Sequence, residues 1–108
     1  MPKIAGAGTF AAEPGTASYV EQLRVADLSV GTYSIAAGAV DTQSPHSEDE
    51  VYVVTAGAGT FIDDSGRTPV GPGDVLFVAA GVPHRFEDIT ADLTVVVFFA
   101  PPYGSRAT

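Results

Sequence analysis

The sequence predicts an all-β fold of the sandwich or barrel kind, and three observations lead there. Twelve glycines and eight prolines are spread over 108 residues, which leaves little room for an amphipathic helix of about ten residues or more. The stretches between them are rich in Val, Ile, Thr, Tyr and Phe, residues that suit a half-buried pleated surface. Those stretches are short and fall at regular intervals between turn residues, the pattern of antiparallel sandwiches and barrels.

In chain order, strands are expected at about 18–25, 28–36, 51–56, 58–63, 74–79, 84–89 and 93–100, with shorter ones near 67–70 and at Thr9–Ala11. Ala56-Gly57-Ala58-Gly59 reads as a turn between two of them, glycine being free to take positive φ. Asp63-Asp64-Ser65-Gly66 reads as a hairpin turn, Val70–Asp74 as a loop into the strand Val75–Val78, and Ala80-Gly81-Val82-Pro83 as a further turn. Residues 1–8 and 101–108 are small and Gly/Pro-rich, and are expected to be peripheral. With no internal repeat and no dividing linker, residues 1–108 are expected to form one domain with its core at about 18–100.

Composition excludes several classes of function. Five Lys and Arg stand against 13 Asp and Glu, a formal charge of −8 at pH 7. The one lysine and four arginines are scattered, so no basic stripe can neutralise phosphates, and nucleic acid is excluded as a partner. An anionic membrane surface would repel the chain for the same reason. No apolar run reaches the roughly 18 residues of a membrane-spanning helix, and Met1–Gly6 lacks a charged-then-apolar signal region, so a cytoplasmic protein is expected. The absence of cysteine removes disulfides, thiolate metal sites and a cysteine nucleophile.

The chemistry-bearing residues are few. His46 and His84 are the only histidines, and each stands beside a turn at a strand entrance, where a β-barrel holds a ligand in its mouth. Taken singly, each reads as a surface residue, and Glu48-Asp49-Glu50 as a solvated acidic turn. Spacing changes that reading. If His46 points inward along an extended chain, period-two alternation sends Glu48 and Glu50 to the same side; a turn between them leaves only one there. Two histidines with a carboxylate form a first-row transition-metal donor set that leaves coordination positions open, as in non-haem iron oxygenases.

The stretch Gly38 to Gly57 resembles the first signature motif of the cupin superfamily: Gly38, five residues, Ser44, Pro45, His46, three residues, Glu50, six residues, Gly57. Gly73, five residues, Ala79, Ala80, Gly81, Val82, Pro83, His84, three residues, Asp88 resembles the second. The 15 residues between them are typical of the smallest microbial members, and the span from Gly38 to Asp88 is 51 residues. The resemblance implies a double-stranded β-helix, or jelly-roll barrel. It implies one divalent transition metal ion (Fe, Mn, Zn, Ni or Cu) held by His46, Glu50 and His84. Ser44 stands where the motif has its first histidine, and Ala79 and Asp88 stand for its proline and asparagine. Gln43 is the candidate for a fourth metal ligand, while Ser44, in phase with His46, is a candidate to bind a water. A cupin that holds no metal is the alternative.

Alternation then places Tyr52 and Val54 inward with Glu50, and Phe86 with His84, while Tyr33, Ile35, Phe61, Phe77, Val97 and Phe99 are further lining candidates. Arg85 is expected outside, and Arg24 is the one cation with a chance of reaching the cavity. Such a pocket suits a small uncharged or weakly polar ligand or substrate. The resemblance implies an enzyme, with oxygenase chemistry as the first reading; Glu50 serves as ligand or base and Tyr52 as a hydrogen-bond donor to substrate. Isomerase, epimerase or lyase chemistry, and a non-catalytic binding module, are the alternatives. Small cupins pair as homodimers, for which the strand Tyr19–Ala26 and the outward Val51 and Val53 are candidates.

Overall fold

A computed structural model describes residues 3–106. The described residues contain no α-helix, and so none long and apolar enough to cross a membrane. Six strands are present: β1 (Ala17–Arg24), β2 (Ser29–Ile35), β3 (Asp49–Asp63), β4 (Gly66–Val70), β5 (Val75–Val78) and β6 (Arg85–Ala100). They pair antiparallel in the order β1-β2-β6-β3-β4, with β5 also on β3. The fold is the expected all-β jelly-roll barrel.

Two long strands replace four expected short ones. β3 runs through the Ala56–Gly59 stretch read as a turn, and β6 joins the strands expected at 84–89 and 93–100. Both strands bend where their mutual register shifts, between Val54 and Thr60 on β3. Extra residues in one strand of an antiparallel pair raise local twist and turn the sheet. Gly57, at φ +90°, lies so close to β6 that a Cβ there would stand 2.1 Å from the Asp92 carbonyl oxygen. Asp88, in the left-handed region at φ 52°, marks the irregular part of β6. Gly57 takes the positive φ expected of it, within a bent strand and not in a turn. The bend lets the first part of β3 pair with β5 and the second part with β4, which rolls the sheet into a barrel.

The interior is built from aligned cross-strand rows. Glu50 faces Phe99 on one side and Val78 on the other; Tyr52 likewise lies between Val97 and Leu76. Opposed residues share a face, so Glu50, Tyr52, Val54, Val95, Val97 and Phe99 all point into the barrel and are buried. The same register puts Phe77 opposite Val51 on the outer face, where it is 63% exposed. Phe77 is therefore not a lining residue, contrary to expectation.

The terminal segments differ from the sequence reading too. Thr9–Ala11 is not a strand, yet Gly8 N–H donates to Thr32 Oγ1 and Ala11 N–H to Ser34 Oγ, at 2.9 and 3.0 Å. Thr32 and Ser34 are buried hydroxyls on β2, and these bonds lay the N-terminal segment over them. After β6 the chain turns back at Pro101–Arg106 and is tied to the barrel by hydrogen bonds, with Tyr103–Arg106 exposed.

Candidate metal centre

His46 lies in the loop before β3, Glu50 near the start of β3, and His84 directly before β6. The two loops are tied together: Gly81 N–H donates to the His46 carbonyl at 2.7 Å, and Ala80 N–H to Asp49 Oδ1 at 2.9 Å. One ligand atom from each of His46, Glu50 and His84 lies within 4.8 Å of the others. Glu50 and His84 are buried and His46 is half-buried.

The hydrogen bonds fix what each group presents. His84 Nδ1 lies 2.9 Å from the Val82 carbonyl. A carbonyl only accepts, so Nδ1 carries a proton and Nε2 is the nitrogen turned into the site. That nitrogen is 3.1 Å from Glu50 Oε1, and Oε1 is buried without any hydrogen-bond donor. A carboxylate oxygen and a ring nitrogen thus face each other in a buried position, an arrangement that needs a positive charge between them. A second ring proton or a metal ion supplies it. Burial alone would lower the His84 pKa; Glu50 and the Val82 carbonyl outweigh it and the net shift is upward. For His46 burial prevails, and with His84 as a neighbour its pKa is lowered despite Glu50, which favours the neutral ring a metal requires.

Gln43 points inward as well. Asp41 Oδ2 accepts from Gln43 Nε2 at 2.7 Å, which turns Gln43 Oε1 toward His46 Nε2 at 3.2 Å and the Tyr52 hydroxyl at 3.1 Å. The same hydroxyl is 3.1 Å from His84 Nε2. Tyr52 has one proton for these two acceptors, and burial, with Glu50 beside it, holds its pKa well above the ordinary value. It stays a neutral donor. Ser44, by contrast, is exposed and adds nothing to the cluster. Glu48 is buried but turned elsewhere, because the chain bends at Ser47–Glu48. Arg24 bonds to Glu21 and to the Tyr103 carbonyl, outside the cavity, and Arg85 faces outward to Glu87.

Three contributors went unnoticed in the sequence. Buried Asp41 accepts from Tyr33 Oη (2.6 Å), Gln43 N and Nε2, and Phe86 N (2.8 Å), so one carboxylate aligns both motifs. Its place three residues after Gly38, inside the first motif, was the available signal. Tyr19 and Tyr103 line the cavity, of about 200 Å³, beside Tyr33, Phe99 and His46; nothing local in the sequence marks Tyr103. Among the described residues, no Lys or Arg lines the cavity.

A bent antiparallel barrel with two histidines and a glutamate converging from two loop–strand junctions defines the cupin class. The family described as Cupin domain matches residues 31–100, and the chain belongs to it. An uncharacterized protein of Streptomyces coelicolor is 44% identical over 85 residues, covering 79% of this chain and 81% of that protein. Among solved structures, the chain is similar to KdgF from Halomonas sp., at 24% identity and TM-score 0.73 over 84% of each chain. It is similar to a cupin superfamily protein of Desulfitobacterium hafniense, at 14% identity and TM-score 0.74 over 93% of this chain and 94% of the other. The DMSP lyase DddQ from Ruegeria pomeroyi has 19% identity and TM-score 0.74, over all of this chain and 57% of that one. At these identities the likeness is one of fold.

Proposed function

We propose that this cupin is a metal-dependent enzyme acting on a small organic molecule, with His46, Glu50 and His84 as the metal ligands and Gln43 Oε1 as a fourth donor. The observation that carries the reading is the buried Glu50 Oε1, with no hydrogen-bond partner among the described residues and 3.1 Å from His84 Nε2. Imidazole with carboxylate fits Fe, Mn, Ni, Cu or Zn. When bound, the ion supplies Lewis acidity or redox chemistry at its open positions.

The protein groups do the rest. Val82 and Glu50 hold the His84 ring, and Asp41 holds Gln43. Tyr52 keeps its proton and can turn its donor from Gln43 to a substrate oxygen. Glu50 acts as ligand and, if released, as a base. The aromatic wall and the lack of a cation suit an uncharged, mainly apolar substrate and disfavour a phosphorylated one. Two histidines and one carboxylate are the donor set of non-haem iron oxygenases, and oxygenase chemistry is our first reading. The fold it shares with DMSP lyase does not by itself favour a lyase. The reading includes a cytoplasmic homodimer, for which exposed Val75 and Phe77 offer apolar surface.

The test is metal analysis of the purified protein, followed by oxygen-uptake screening of the iron-loaded form against small uncharged organics. Stoichiometric metal lost in His46→Ala is expected, with substrate-dependent oxygen uptake. Full metal content in His46→Ala would refute the ligand set; metal binding without oxygen uptake would move the chemistry to a non-redox class.

A further inference from the structure

Glu48 is buried, at 1% exposure, yet it takes no part in the His46, Glu50 and His84 cluster. Its two carboxylate oxygens accept instead from the C-terminal turn: Oε1 from Gly104 N–H at 3.1 Å and Oε2 from Arg106 N–H at 3.0 Å. An ionised carboxylate is costly to bury unless hydrogen bonds compensate it, and bonds from backbone amides to a carboxylate are of the stronger, charge-assisted kind. Two more contacts hold the same turn. Tyr103 N–H donates to Ser29 Oγ at 2.9 Å, and the Tyr103 carbonyl accepts from Arg24 Nη2 at 2.6 Å.

What this turn carries is the Tyr103 ring. It lies 4.8 Å from the Phe99 ring, 5.8 Å from Tyr19 and 5.4 Å from His46, centre to centre. It lines the cavity while 41% exposed, so it stands at the mouth. Four anchors from β1, β2 and the loop before β3 therefore converge on a six-residue turn whose side chain covers a histidine of the site.

We propose that Pro101–Arg106 is a strap latched by Glu48, and that Tyr103 on it closes the cavity over His46 and controls what reaches that ring. The inference concerns the same cavity as the proposed function but does not depend on a bound metal. With the strap latched, a ligand must be small or flat enough to pass Tyr103; with it released, His46 opens to solvent.

Diethylpyrocarbonate, which modifies neutral histidine, tests this on the metal-free full chain, where only two histidines report. Modification of His46 is followed by peptide mass spectrometry in wild type, Tyr103→Ala, Glu48→Leu and the double variant, and hydrogen exchange is read on the same proteins. Losing the two latch bonds or the covering ring is expected to speed His46 modification about tenfold, with no further gain in the double variant. In Glu48→Leu the Gly104 and Arg106 amides lose protection while β3 and β6 amides keep theirs. An unchanged His46 rate in Tyr103→Ala with intact strand protection would overturn the proposal, as would unprotected Gly104 and Arg106 amides in wild type. Tyr103→Ala decides the matter alone if Glu48→Leu does not fold. Failure of the metal reading would leave each of these outcomes unaffected.

Discussion

The latch around Glu48 and the cleft around Glu50 each bury a carboxylate, two residues apart, and treat it in opposite ways. Both oxygens of Glu48 receive a backbone amide. Glu50 leaves Oε1 without a backbone donor, facing His84 Nε2 at 3.1 Å. A satisfied buried carboxylate organises structure, and an unsatisfied one marks a place where a cation belongs. The bend at Ser47–Glu48 creates the difference, since it breaks the alternation that would have sent both side chains to one wall.

Substitutions can break this contrast, and the largest effect belongs to the cleft. Glu50→Ala and His84→Ala are each expected to weaken metal binding by at least about 100-fold, more than typical losses from groups behind the ligands; competition against a chelating dye measures it. Wild-type affinity in either would remove the distinction between the two carboxylates. Glu48→Leu is expected to keep one metal per chain yet lose roughly 2–4 kcal/mol of stability, as two charge-assisted bonds disappear. Urea unfolding of the metal-free protein reads that cost. Asp41→Asn sharpens the picture by acting through Gln43 and Phe86 N. One of its atoms turns from acceptor to donor, and metal affinity is expected to fall about tenfold without loss of stoichiometry. Ser44→Ala should do least, changing stability by less than about 0.5 kcal/mol and leaving metal content alone, because that hydroxyl is exposed.

The barrel class and the positions of His46, Glu50, His84 and Tyr52 were legible in the sequence, because strand alternation and motif spacing are local patterns; Gln43 was a candidate only through a bend at Pro45, while Ser44, the residue in phase with His46, is exposed. What escaped depends on contacts distant in sequence. A glycine inside a bent strand and a glycine in a turn look alike until the partner strand is known, so Ala56–Gly59 was read as a turn. Phe77 follows its pairing with Val51, which alternation within β5 alone cannot set. Asp41 aligns a residue 45 positions away, and Tyr103 reaches the cavity only because Glu48, 56 positions before Gly104, holds its turn. A short Gly/Pro-rich end reads as loose when its latch lies half a chain away.

The central claim is that a cation sits between Glu50 and the two histidines. Anomalous diffraction from crystals of the metal-loaded protein, recorded at the absorption edge of the metal found in solution, tests it most directly. The account expects one peak per chain, coordinated by His46, Glu50 and His84. A stoichiometrically loaded protein with its peak elsewhere, and Glu50 hydrogen-bonded to a protonated His84, would contradict it.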